Sequence, residues 1–203
     1  MPVDRTGNIA GIVLAAGTST RMGENKLLFD LAGESVVHRA VRIATEGGLN
    51  PVIAVLGHEA GRVRRELEGL TCVVVENPDY ANGVNSSLKT GIAAVPASAA
   101  AVVVMLADMP FVTAEMIASL IARYRTSSAP LVISDYDGVN APPMLYDRVL
   151  FPELQTMEGE GCGRVVVRRH RQEAEVLAWP AAALTDLDVP DDYARVRSAL
   201  TAG

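Results

Sequence analysis

The chain of 203 residues, 49% hydrophobic and 21% charged, fits one α/β-sized domain spanning 1–203 that can bury a proper core, with little room for a second domain. Its formal charge of −6 supplies no general basic field for a nucleic-acid backbone, so any anion site must be local. Two cysteines, Cys72 and Cys162, form no Cys-x-x-Cys pair, no stretch approaches a membrane span, and the apolar run behind Asp4 and Arg5 is too brief for a signal peptide; no membrane role and a reducing cytoplasm are expected.

Short β-branched runs alternate with longer stretches of helical period, the pattern of a mostly parallel sheet covered by helices. Strands are predicted over 9–14, 51–56, 72–76, 101–106 and 131–135. The first three are nearly all apolar, as expected where both sheet faces are covered. Helices are predicted over 36–46, where Val37, Ala40, Val41 and Ala44 share a face, and over 59–67, 86–95 and 114–124. After Asp135 the rhythm changes. "DYDGVNAPPMLY" reads as a turn followed by an antiparallel strand into Met144, Leu145 and Tyr146. A helix over 148–157, a glycine-rich break and a short helix over 165–169 follow. The end reads as an extended piece, then Pro190 at a helix start with Asp191 and Asp192 in its first turn.

The segment 14–26, "LAAGTSTRMGENK", follows the first strand directly and so falls at the carboxyl edge of a parallel sheet, where open α/β folds place ligands. Gly17 and Gly23 allow backbone conformations that other residues resist, and the small side chains of Ala15, Ala16 and Gly17 let main-chain N–H groups approach an anion. Arg21 can fork onto phosphate oxygens and Lys26 adds a point charge, which together suit a polyphosphate. Two familiar phosphate loops do not fit: Gly17 and Gly23 are wrongly spaced for G-x-x-x-x-G-K-[ST], and G-x-G-x-x-G is absent. An ordinary strand-to-helix turn with solvated cations is the competing explanation.

A companion signal lies in "VVVMLADMPFV", where a strand ending at Ala107 and Asp108 brings a carboxylate to the same sheet edge. A carboxylate beside phosphates is how Mg²⁺ is usually held, although an aspartate there can also cap a turn. "TDLDVPDD" supplies Asp186 and Asp188 on one side of an extended piece, and Asp188 is the favoured second metal ligand.

In this order and spacing, "GIVLAAGTSTRMGENKLL", "NPDYANGVNSSLKTGI", "MLADMPFV" and "LTDLDVPDDY" resemble the molybdopterin (molybdenum cofactor) cytidylyltransferases, with the related guanylyltransferases as cousins, over nearly the whole chain. The resemblance implies a single-domain, three-layer Rossmann-like α/β nucleotidyltransferase fold with a mostly parallel sheet. It also implies Mg²⁺-dependent transfer of a nucleoside monophosphate from an NTP to a phosphate-bearing acceptor, molybdopterin, with release of pyrophosphate and a molybdenum hydroxylase as a partner. The family's signature loop maps onto Leu14, Ala15, Ala16, Gly17, Arg21 and Lys26, and its metal aspartates onto Asp108 and Asp188. Guanine-specific cousins resemble Leu-Ala-Gly-Gly in the first loop, so Leu14-Ala15-Ala16-Gly17 favours CTP. Asn82, Gly83, Ser86 and Ser87 fall in the segment similar to the family's base-binding stretch, where Asn85 replaces a serine; the two serines could instead only open the following helix.

Two segments depart from the family. Asn140-Ala141-Pro142 stands where a Gly-His-Pro turn is frequent, and Gly161-Cys162-Gly163-Arg164 where Gly-Ala-Arg is frequent. Asn140, Pro142, Cys162 and Arg164 are thus candidate acceptor-binding residues, with Cys162 also readable as a small residue in a turn. His38, His58 and His170 lack zinc spacing. "RVVVRRHR" reads as a solvated helix face, with attraction of an acidic partner as the other reading. A sugar-1-phosphate nucleotidyltransferase, a non-catalytic cofactor chaperone and a nucleotide-binding regulator are the alternative functions.

Overall fold

The computed structural model describes residues 5–18, 23–158, 161, 163–187 and 190–201. In chain order its elements are β1 (Ile9–Ala15), β2 (Asp30–Leu31), β3 (Glu34–Ser35), α1 (Val36–Glu46), β4 (Val52–Leu56), α2 (Ala60–Glu66), β5 (Val73–Glu76), α3 (Val84–Ala93), β6 (Ala101–Leu106), α4 (Ala114–Thr126), β7 (Leu131–Tyr136), β8 (Val139–Asn140), β9 (Met144–Asp147), α5 (Phe151–Thr156), α6 (Arg164–Arg169), β10 (Glu175–Trp179) and α7 (Pro190–Thr201). The main sheet runs β10-β7-β9-β6-β1-β4-β5, with β8 paired to β7. Strands β4 and β6 flank β1 in parallel, β5 extends parallel from β4, and β9 inserts antiparallel between β6 and β7. This is the α/β class expected, including the antiparallel return into Met144.

The strand sequences explain the layering. Successive side chains point to opposite faces, so Ile9, Val13 and Ala15 of β1 enter one core with α1, α2 and α4, while Ala10, Ile12 and Leu14 enter a second core with α3, α5 and α6. Every residue of β1 is buried, as the near-continuous apolar run requires. A Cβ on Gly91 of α3 would lie 2.7 Å from Ile12 Cγ2, so glycine there permits a close helix–sheet approach. Side-chain caps fix two helix starts: Ser35 accepts from His38 N–H, and Thr113 accepts from Met116 N–H.

The strand over 72–76 differs from expectation: β5 is the sheet edge, paired on one side only among the described residues, and Val73 is 46% exposed. Strands β2, β3, β8 and β10 were not anticipated; β8 pairs antiparallel with β7, and β10 pairs parallel with β7 and forms the other edge. The helix predicted over 148–157 is a 3-10 turn (Arg148–Leu150) running into α5, whose Pro152 sits near the start where a missing N–H costs nothing. Helix α3 starts at Val84, two residues earlier than predicted, and α7 starts at Pro190 with Asp191 and Asp192 in its first turn, as expected. No helix among the described residues is long and apolar enough to cross a membrane.

The strand order creates the functional edge. From β1 the chain moves outward through β4 and β5, then returns on the other side of β1 as β6. Such a reversal opens a crevice at the carboxyl ends of the two central strands. Here those ends stay in register: Ala107 N–H donates to Leu14 C=O at 3.1 Å, and His58 N–H donates to Ala16 C=O at 3.3 Å.

Candidate functional site

A cavity of about 400 Å³ occupies this crevice, lined by Leu14 to Thr18, Lys26, Gly83, Ser87 and Asp108 among others. Two of its lining residues, Ala16 and Tyr80, pack against a glycine with no motif signal in the sequence. A Cβ on Gly57, just after β4, would lie 2.6 Å from Tyr80 and 2.8 Å from the Ala16 methyl, so only glycine lets Tyr80 close against the first loop. Gly23 has the left-handed φ of +73° that the sequence predicted; Gly17 does not, and a Cβ there would meet nothing within 4 Å. Small size at Gly17 therefore leaves the cavity open and is not a backbone requirement.

Lys26 and Asp108 face one another across this cavity, Nζ to Oδ2 2.5 Å apart, with side chains 12% and 22% exposed. Each is held by its neighbours. Asn25 is buried and its Oδ1 accepts from Leu27 N–H at 3.2 Å, closing a 3-10 turn (Lys26–Leu28) whose Leu27 is anchored in the core. Ala107 and Met109 are buried on either side of Asp108, and Leu187 N–H donates to the Asp108 C=O at 3.2 Å. Helix α7 then packs on the chain just past Lys26, with Tyr193 O–H donating to Asp30 C=O at 2.7 Å and its ring edge-on to Phe29. Thus the C-terminal segment is stapled to both halves of the crevice. Arg21 and Asp188 lie outside the described residues.

Gly83, at φ +95°, opens α3 toward the cavity, and the buried Ser87 lines it. Asn77, buried at the end of β5, donates through Nδ2 to both Ser86 Oγ (2.8 Å) and Ser87 Oγ (3.0 Å). Ser86 in turn donates to the C=O groups of Asp79 and Gly83. Its hydroxyl is thereby engaged in fixing the start of α3, and neither Ser86 nor the exposed Asn82 lines the cavity. Ser86 thus takes part in opening α3, while Gly83 and Ser87 line the crevice.

A second, larger cavity of about 910 Å³ adjoins the first, with Val84 and Leu106 lining both. It brings together Asn140, Pro142, Gly161, Arg164 and Asp186. The turn that carries Asn140 and Pro142 is pinned from β7: Asn140 Nδ2 donates to Asp135 Oδ2 (2.7 Å), Tyr136 O–H to Pro142 C=O (2.9 Å) and Ser134 O–H to Pro143 C=O (2.6 Å). Burial pushes the Tyr136 phenol well above its ordinary pKa, so it remains a donor. The polar Ser134, Asp135 and Tyr136 inside an otherwise apolar strand were the sequence signal for this anchoring. Cys162 lies outside the described residues. On its far side, Gly163 N–H donates to Oδ1 of the buried Asn85 at 3.3 Å, which links α3 of the first cavity to α6 of the second.

Chemically, the first cavity joins bare backbone, an ammonium and a carboxylate in a single crevice. Among the described residues no group of three or more His, Cys, Asp or Glu forms a ready-made metal cage. Asp108 suits the alternative mode of a hard cation, in which one or two carboxylates hold it and substrate phosphates complete the shell.

Residues 11–175 match the family described as MobA-like NTP transferase domain. The chain is 28% identical over 211 residues to the purine catabolism protein PucB of Bacillus subtilis, covering 97% of this chain and 100% of that protein. Among solved structures, the homologue of Mycobacterium tuberculosis Rv0371c from Mycobacterium sp. strain JC1 superposes with a TM-score of 0.84 at 29% identity, covering 96% of this chain and 97% of that one. Rv0371c of M. tuberculosis H37Rv in complex with manganese gives a TM-score of 0.79 at 26% identity, covering 94% and 98%.

Proposed function

This chain belongs to the MobA-like NTP transferase family, and from that premise we propose that it transfers CMP from CTP onto the phosphate of molybdopterin, releasing pyrophosphate. The observation that carries this reading is the Lys26–Asp108 pair in a loop-lined cavity that opens onto a second, larger one across Val84 and Leu106. One cavity suits a nucleoside triphosphate, the other its acceptor, and their junction suits the reacting α-phosphorus. An acceptor phosphate oxygen attacks that phosphorus in line, forming one P–O bond as the bond to the β-phosphate oxygen breaks, and the electron pair leaves with pyrophosphate. Chemistry of this kind needs positioning and charge neutralisation more than a side-chain nucleophile.

Main-chain N–H groups of the first loop, with Lys26 and Arg21, hold the triphosphate and stabilise the charge that grows on the leaving pyrophosphate. Lys26 exchanges its carboxylate partner for phosphate oxygens when nucleotide enters. Asp108, with Asp188 as second carboxylate, is the residue set for Mg²⁺, which supplies Lewis-acid polarisation of the phosphates when bound. Ala16 in the place of a second loop glycine favours CTP, and Asn140, Pro142, Cys162 and Arg164 are the acceptor-side residues. A molybdenum hydroxylase is the enzyme class that would receive the product, in a reducing cytoplasm.

The test is a pyrophosphate-release assay crossing CTP, GTP and ATP with molybdopterin and with sugar 1-phosphates. Release with CTP and molybdopterin alone is expected; preferential turnover of a sugar phosphate, or no turnover with molybdopterin under any nucleotide, overturns the acceptor assignment.

A further inference from the structure

The run "RVVVRRHR" is not uniformly a solvated face. Arg169 pairs with Glu153 (2.6 Å) and His170 sits 2.8 Å from the same carboxylate, so these two turn toward α5. Arg164, Arg168 and Arg171 instead all line the second cavity, and none of them forms an ion pair with another described residue. Their spacing of four and then three residues brings successive side chains to one side of α6 and the turn beyond it. Three arginines therefore share the lining of one cavity in a chain of net charge −6, against a single carboxylate, Asp186, in the same lining. Elsewhere in the cavity wall stand the apolar Met109, Val139 and Met144.

We propose that Arg164, Arg168 and Arg171 form an arginine row that binds the acceptor through two or more negative charges, with a phosphate monoester dianion as the smallest group that satisfies it, while the apolar wall takes an uncharged body. This rests on the reading of the second cavity as the acceptor site and extends it to Arg168 and Arg171. Charges of one sign lining a concave surface raise the local concentration of the counter-ion, and the planar guanidinium fork matches phosphate oxygens in a way lysine does not. A ligand with no charge, or one, leaves guanidiniums crowded without compensation. The row thus discriminates acceptors by charge before the chemistry begins.

The experiment uses the full chain with the first cavity filled by saturating α,β-methylene CTP and titrates inorganic pyrophosphate calorimetrically into wild type, Arg168→Gln/Arg171→Gln and Arg169→Gln. Wild type and Arg169→Gln bind equally, the double variant at least tenfold more weakly, and raising salt narrows the gap because the charges are solvent-accessible. In the pyrophosphate-release assay the double variant raises the KM for acceptor by a similar factor and leaves the KM for CTP unchanged. Equal pyrophosphate binding by wild type and the double variant, or none by wild type, overturns the row even where molybdopterin turns over. Loss of binding in the double variant supports the row even where molybdopterin proves not to be the acceptor. All three arginines are exposed, and matched thermal unfolding curves confirm that the variants are folded.

Discussion

Lys26 and Asp108 come from turns that follow two different strands, yet meet at 2.5 Å. Both line the cavity but are only 12% and 22% exposed, so breaking the pair costs about 1–3 kcal/mol, between a surface pair and a fully buried one. On the proposed mechanism, losing either group should be far more costly to turnover: one preorganised charge removed from a transition state lowers it about 10²–10³-fold. Lys26→Met and Asp108→Asn should each show that fall in kcat with CTP while melting only modestly below wild type. Full activity in either removes that residue from the chemistry. Gly17→Ala separates ligand space from backbone need. With no positive φ and nothing within 4 Å of the added Cβ, the folded state should be untouched. Gly17 lines the cavity proposed for the triphosphate, and a KM for CTP raised about tenfold, roughly 1.4 kcal/mol, is expected from steady-state kinetics. An unchanged KM places the triphosphate elsewhere. Lys26, Asp108 and the small-residue loop were legible from sequence because residue type and strand-end position carry the signal. Asn25, Asn77 and Gly57 were not, since their importance lies in what they touch across the fold.

At the scale of elements, the link between β3 and α1 shows how a charge cluster steadies the segment that begins at Lys26. Glu34 accepts from Arg42 at 2.5 and 2.9 Å, from Arg39 at 3.2 Å, and lies 3.1 Å from His38 Nδ1. The Arg42 guanidinium, first among these, holds the Glu34 carboxyl down from 4.5 to about 2. A folded-state pKa depressed in this way contributes stability above pH 4.5, and the contribution disappears as pH falls from 4.5 through about 2. Glu34→Gln should accordingly melt below wild type at pH 7, with the gap closing across that acid window in a pH series of thermal melts. A gap independent of pH rules out the ionised cluster as the cause. Elements with long apolar periods, such as α1 and β6, were readable from pattern alone. The short hairpin of β2 and β3 was not, because two-residue strands carry no period; nor was β10, whose "EVLAW" gains its strand character only from β7 alongside it.

For the molecule as a whole, the strand order fixes where a ligand can act. Because β6 returns beside β1, the Lys26–Asp108 contact spans the reversal point, and the two cavities sit on either side of Val84 and Leu106. The sequence showed a parallel sheet and its edge, but not that order, since strand neighbours are chosen by tertiary packing rather than by local pattern. If the proposed function holds, CTP with Mg²⁺ at a hundredfold excess over its Kd should stabilise the folded state by about 2.7 kcal/mol. That gain should appear unevenly in hydrogen exchange. Amides at 14–18, 83–88 and 106–109, in the segments that line the crevice, should slow most, whereas amides that exchange by fraying at the outer strands β5 and β10 should keep their free-state rates. Protection centred on β10 and α4 would instead place the nucleotide over the opposite end of the sheet, where Lys26 and Asp108 have no access to it.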